Sequence, residues 1–103
     1  PDLLDDARRH DVAVHLMLTN FGASGFDSAL VTSLVGTATR RSAAIAQLEK
    51  VVRTQQLQGV TIDFELVPAA AHPQVLAFLH ELRDALQPLG VVTSAAVPIS
   101  VGD

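Results

Sequence analysis

The chain has 103 residues, 49% of them hydrophobic and 17% charged, with a mean hydropathy of +0.34 and a formal net charge of −4. That suffices for one compact domain with a core, is too apolar for a disordered tail, and gives no electrostatic basis for binding nucleic acid. The absence of cysteine removes disulfide scaffolds, thiolate zinc sites and cysteine nucleophiles. No apolar run approaches the ~18 residues of a membrane span, so no membrane insertion by this segment is expected. No signal-peptide pattern is present, and Pro1 in place of Met suggests a natural start further upstream.

Leu3, Leu4 and Ala7, ahead of His10, read as the last turns of a helix. Val12 to Leu18 is a short apolar run, the pattern of a parallel strand buried on both faces. Phe21 to Gly25 is turn-rich. Asp27 is placed to N-cap a short helix, with Phe26 and Val31 as a hydrophobic staple and Gly36 as the stop. A longer helix is expected from Thr39 to about Gln56, because Ala44, Ile45, Leu48, Val51 and Val52 fall on one stripe. Gly59 to Glu65 alternates strictly, with Val60, Ile62 and Phe64 on one face and Thr61, Asp63 and Glu65 on the other, which identifies a strand. His72-Pro73 opens a second long helix, in which Val75, Phe78, Leu79, Leu82 and Leu86 recur at helical spacing until Pro88 and Gly90. Val91 to Val97 is a further strand, ended by Pro98.

Strands alternating with amphipathic helices mean α/β architecture, βαβ units and a parallel sheet. Such a sheet needs helices over both faces or closure into a barrel. Three strands cannot close, and a (β/α)₈ TIM barrel takes roughly 250 residues. The chain is thus either a small open sheet or a fragment of a barrel, and residues 1–103 contain no internal domain boundary.

The chemistry is concentrated on the strand that begins at Gly59. Asp63 and Glu65 project from the same face, ~6.5–7 Å apart at Cα. Two carboxyls at that spacing in an apolar surround cannot both ionise cheaply, so one is expected to be driven toward the neutral acid. A protonated carboxylic acid with a second carboxyl beside it is what glycosidic bond cleavage requires. The competing reading is a wet polar face on an ordinary sheet edge.

Leu57-Gln58-Gly59-Val60-Thr61-Ile62-Asp63-Phe64-Glu65 resembles the active-site strand of glycoside hydrolase family 18, the chitinase family, whose pattern is Asp-x-x-Asp-x-Asp-x-Glu. The likeness is strongest to the bacterial branch of spore-germination and cell-wall-hydrolase domains. Thr19-Asn20-Phe21, Phe26-Asp27 and Val97-Pro98 add to it. Val67-Pro68 through His72-Pro73 is similar to the version found in fusions with a polysaccharide deacetylase and a glycosyltransferase.

The resemblance implies a retaining, substrate-assisted hydrolysis of β-linked N-acetylglucosamine polymers, outside the cytoplasm and without a cofactor or metal. Glu65 would be the acid and then the base. Asp63 would hold the 2-acetamido group, whose oxygen attacks the anomeric carbon. Asn20 stands where members place a substrate-facing polar residue, although a turn residue held by its own side chain reads equally well. Gln58 and Thr61 replace the first two Asp residues of the pattern. Thr61 takes one carboxylate out of the relay but retains a hydroxyl able to bond to Asp63. Members also use a Tyr and an Asp on later strands. This chain has no Tyr and no Trp, so its 103 residues are expected to form an incomplete, inactive site that needs the rest of the barrel.

The remaining signals have plain readings. His10, His15, His72 and His80 show no ligand spacing, so no metal site is expected. The Phe21–Gly25 stretch lacks the Lys and the glycine spacing of a phosphate loop. Arg40 and Arg41 read as a solvated helix start. Ser24, Ser94 and Ser100 lack a nucleophile-elbow context. Two alternatives to hydrolysis stand beside the main reading. One is a carbohydrate-binding barrel that has lost turnover; the other is an independent small open α/β domain.

Overall fold

The computed structural model describes residues 3–22, 25–26 and 28–96. In chain order the elements are α1 (Leu3–Arg9), β1 (His15–Thr19), β2 (Phe21–Gly22), β3 (Gly25–Phe26), α2 (Ser28–Val35), α3 (Ala38–Gln55), β4 (Gly59–Asp63), α4 (His72–Leu86) and β5 (Val92–Ala95). Single 3₁₀ turns precede and follow α4, at Ala69–Ala71 and Gln87–Leu89. β1, β4 and β5 form a parallel sheet in that order, so each strand is joined to its neighbour by helical crossovers, α2–α3 and then α4. The stretch expected as a plain turn instead makes a short antiparallel pair, β2 with β3, directly after β1.

The helices start and stop for local reasons. Gly36 follows α2, and a Cβ there would lie 2.6 Å from the Thr32 carbonyl oxygen, so the position favours glycine. The Thr37 hydroxyl then accepts from the Arg40 amide at 3.1 Å and caps α3, two residues before the expected start at Thr39. Gln56 closes that helix in the left-handed region, at φ 54°. Pro73 falls in the first turn of α4, where its missing N–H costs nothing. The proposed Asp27 cap with its Phe26 staple, and the Val97-Pro98 strand end, lie outside the described residues.

All three crossover helices cover one face of the sheet. Val60 and Ile62 of β4 point into that layer at 0% and 2% exposure and meet Val31 and Val35 of α2, Ile45, Leu48 and Val52 of α3, and Phe78, Leu82 and Leu86 of α4. Burying a side chain of this size stabilises by about 1.5–3 kcal/mol, an upper figure because the unfolded chain is already partly compact. Val51, expected on the α3 stripe, sits at its edge and is 39% exposed.

Of the Arg pair expected at a solvated helix start, Arg41 departs from that expectation. Arg41 is only 13% exposed at its side chain. Its Nε donates to Glu81 Oε1 of α4 at 2.9 Å and its Nη1 to the Val35 carbonyl at 2.9 Å, joining three helices at the carbonyl end of α2. Arg40 stays exposed and donates to Ser33 at 3.3 Å.

The opposite face of the sheet is open among the described residues, so β1, read as buried on both sides, is covered here on one. β1 begins at His15 rather than Val12. Leu16 and Leu18 lean on the helix layer, while His15, Met17 and Thr19 are exposed. Met17 at 60% and Val92 of β5 at 59% are apolar residues with no cover among the described residues on that side. The apolar run in β1 therefore reports two surroundings, and the helices of this chain supply only one.

Candidate active site

The strand register stacks the open face in rows. His15, Gly59 and Val92 form the lowest row, Met17, Thr61 and Ser94 the next, and Thr19 with Asp63 the one above. Gly59 lies under the His15 imidazole in the lowest row, where a Cβ would approach that ring to 2.7 Å, so a larger residue there needs His15 to move. In the second row, the Thr61 and Ser94 hydroxyls are 2.9 Å apart across β4 and β5. Thr61, whose hydroxyl is also able to bond to Asp63, pairs here with Ser94.

Asp63 is the last residue of β4, so Glu65 stands beyond the strand rather than on it. Two contacts nevertheless fix the chain there. Phe64 turns to the helix side and stacks on Phe78, with ring centroids 6.2 Å apart and planes at 26°. Asp63, on the strand, faces the open side by alternation, and Asp63 and Glu65 are both half-buried. On the other flank, the Asn20 side chain meets the Glu65 main chain twice. Asn20 Nδ2 donates to the Glu65 carbonyl at 2.8 Å, and the Glu65 amide donates to Asn20 Oδ1 at 3.0 Å.

Asn20 is 2% exposed. Its amide is engaged with the Glu65 main chain, a pairing that neither of the two roles read for it from sequence describes. Gln58 forms a matching pair at the opposite end of the strands. Its Oε1 accepts from the Val14 amide at 2.8 Å, and its own amide donates to the Val14 carbonyl at 3.0 Å. The sequence reading missed both pairings, and it missed Ser94 as the partner of Thr61. The Thr61–Ser94 pair was open to discovery by aligning the alternation of β5 with that of β4; the amide pairs had no such signal.

The histidines are dispersed. His10 Nδ1 lies 2.8 Å from the Asp6 carbonyl, His72 Nε2 lies 3.2 Å from the Val67 carbonyl, and His80 is exposed on α4. Among the described residues, no group of three His, Asp or Glu side chains is placed to hold a metal, and no helix is long and apolar enough to cross a membrane.

Known proteins share this fold. The sporulation-specific glycosylase YdhD of Bacillus subtilis is 37% identical over 86 residues, 84% of this chain and 20% of that protein. Its crystal structure superposes with a TM-score of 0.88 at 33% identity, over 97% of this chain and 34% of that one. The spore cortex-lytic enzyme SleL of Bacillus megaterium follows at a TM-score of 0.87 and 21% identity, covering 94% of this chain and 23% of its own. A class V chitinase from Pseudomonas fluorescens gives 0.87 and 20%, covering 97% of this chain and 30% of its own. No protein-family model matches the chain. The fold is a fragment of a (β/α)₈ barrel. The chain spans about a fifth of the curated relative it matches and about a third of that relative's solved structure.

In barrel terms the open face is the interior and the rows are its layers, with Glu65 at the carboxyl-end mouth. Enzymes of this fold place their reacting groups there. Met17 and Val92, exposed in this chain, are interior residues awaiting the facing strands.

Proposed function

We propose that the chain carries the acid/base segment of a glycoside hydrolase of the family 18 type, acting on β-linked N-acetylglucosamine polysaccharide. The observation that carries this reading is the placement of Asp63 and Glu65. Asp63 ends β4 and Glu65 follows just beyond it, at the carboxyl end where enzymes of this fold carry their reacting groups, in a chain 37% identical over 86 residues to a sporulation-specific glycosylase. The names of its neighbours, a spore cortex-lytic enzyme and a chitinase, point to cell-wall or chitin-like glycan as the substrate class.

Glu65 acts as the carboxylic acid that protonates the departing glycosidic oxygen as the C1–O bond breaks. The substrate's acetamido oxygen bonds to C1 from the other face, giving a cyclic oxazolinium and placing positive charge on the acetamido group. Asp63, one layer deeper, accepts from the acetamido N–H and stabilises that charge. Glu65, now a carboxylate, takes a proton from water as its oxygen attacks C1 and opens the ring. Two inversions leave the configuration retained, without a covalent bond to the enzyme. Thr61 lines the floor beneath Asp63 through its hydroxyl bond to Ser94. Asn20, expected at the substrate, acts here on Glu65.

The partners of this reading are the polysaccharide, the remaining barrel units and, by resemblance, fused deacetylase or glycosyltransferase domains. The site of action is outside the cytoplasm. A second reading, a glycan-binding barrel without turnover, is favoured by one observation: a hydroxyl pair occupies the layer where the family pattern has a carboxylate.

The test uses the full-length protein, wild type and Glu65→Gln, on N-acetylated and de-N-acetylated glucosamine oligomers. Cleavage of the acetylated chains alone, reduced about 10²–10⁴-fold in the variant, is the expected result. Binding by both proteins with no cleavage by either would establish the second reading instead.

A further inference from the structure

We propose that Asn20 is a positioning residue for the acid: its side-chain amide replaces the missing β1–β4 ladder at Glu65 and so fixes where the Glu65 carboxyl stands. The inference rests on the reading of Glu65 as the acid/base.

The ladder between β1 and β4 ends at the pair Thr19 and Asp63. Beyond it the two chains part, one into the β2–β3 pair and the other toward the 3₁₀ turn before α4. Glu65 would there lose both main-chain partners. A primary amide carries an acceptor oxygen and N–H donors in one plane, as a peptide group does, and Asn20 presents its oxygen and one N–H to Glu65, at 3.0 and 2.8 Å. One side chain thus extends the sheet by one residue, to the residue that must be held.

Three further observations make this more than a loop contact. Asn20 is the one polar residue in the buried core among the described residues. It borders a cavity of about 30 Å³ whose wall is otherwise mainly apolar, with Leu18, Leu30, Val31, Leu34 and Phe64. Hydrogen bonds in such surroundings are strong and their loss is not made good by water. Third, Leu66 directly after Glu65 is held at φ 57°, a left-handed conformation that a side chain other than Gly resists. Leu66 is 71% exposed, so its own packing does not impose that conformation. Strain of this kind, maintained by its neighbours, gathers where geometry matters for function. The Asn20 pair, the Phe64–Phe78 stack and the Leu66 turn all grip the main chain, and none of these contacts uses the Glu65 carboxylate.

A displaced acid has a kinetic signature that a general loss of stability lacks. A sugar leaving group needs protonation, whereas nitrophenolate departs without it. The experiment measures kcat/KM of the full-length protein for Asn20→Ala, Asn20→Asp and Glu65→Gln. The substrates are a β-linked N-acetylglucosamine oligomer and the nitrophenyl glycoside of a shorter oligomer, and the assay runs below each variant's unfolding temperature.

Asn20→Ala is expected to lose about 10²-fold on the oligomer, as for a misplacement on the order of 1 Å, and about tenfold less on the nitrophenyl glycoside. Asn20→Asp keeps the acceptor for the Glu65 amide but sets a buried carboxylate oxygen against the Glu65 carbonyl, so its loss is expected to be at least that of Asn20→Ala, with the same dependence on leaving group. Equal losses on both substrates, no loss on either, or failure of both Asn20 variants to fold would overturn the proposal, leaving Asn20 a determinant of the fold alone. Glu65→Gln separates the two levels. If it shows the leaving-group dependence and Asn20→Ala does not, only the positioning role falls. If Glu65→Gln itself shows none, the acid assignment falls.

Discussion

The two ends of the β1–β4 pair use the same device in different surroundings. At the amino end, Gln58 of the incoming β4 strand joins its side-chain and main-chain groups to Val14. At the carboxyl end, Asn20 from β1 joins its side chain to both main-chain groups of Glu65. Each amide continues a parallel ladder past its last regular pair. Gln58 is exposed, so water can replace its bond; Asn20 is buried, so water cannot. Similar pairings therefore carry different consequences, and the better-buried one lies at the end that carries the carboxylates.

Removing the buried amide should have the largest effect on stability. Asn20→Ala leaves the Glu65 N–H and C=O without partners in a partly buried position, at about 1–3 kcal/mol for each unsatisfied group, so about 2–4 kcal/mol together after relaxation. Denaturant unfolding of the full-length protein reads this as a lower midpoint at unchanged slope. A change below about 0.5 kcal/mol would erase the contrast between the ends, since that is the scale of ordinary surface substitutions.

A steric change near the amino end ranks next. Gly59→Ala drives a methyl group into the His15 ring. Because His15 is exposed on its other side and can turn away, the cost is expected near the lower part of the ~1–3 kcal/mol range for overpacking. His15→Ala in the same chain should restore most of the loss. That rescue would show that the lowest barrel layer is governed by shape, whereas the mouth is governed by hydrogen bonding. Additive losses in the double variant would contradict it.

What was legible in the sequence follows the range of each interaction. The alternation Val60, Ile62, Phe64 and the helical stripe Phe78, Leu82, Leu86 are local patterns, and they located β4, α4 and the buried face within a few residues. Asp63 and Glu65 were visible for the same reason. The contacts that organise the mouth and tie the helices are remote in sequence: 45 residues separate Asn20 from Glu65, 44 separate Val14 from Gln58, and 40 separate Arg41 from Glu81. Periodicity carries no information about such pairs. An amide at a strand end looks like a turn residue until its partner strand is beside it, and Arg41 looks solvated until α4 supplies Glu81. The strand expected from Val12 was misjudged for a related reason. Its apolar run encodes contacts with the whole barrel, and Met17 and Val92 still face the side that other units must cover.

The smallest expected effect belongs to Gln58, and it is the most informative about the family pattern. Gln58 occupies the position of that pattern's first Asp, yet it sits at the amino end of β4, remote from the mouth. Gln58→Ala removes one exposed hydrogen bond to Val14, worth about 0.5–1.5 kcal/mol at most and less where water substitutes. It should leave kcat/KM unchanged on sugar and nitrophenyl leaving groups alike. A carboxylate restored there by Gln58→Asp has a shorter reach toward the Val14 amide, and at that distance from Glu65 it should not move the pH dependence of cleavage, because a charge several residues down the strand is screened within about 8–10 Å. A shifted pH profile in Gln58→Asp would mean that charge at the amino end is felt at the mouth, and the division between a structural end and a chemical end would fail.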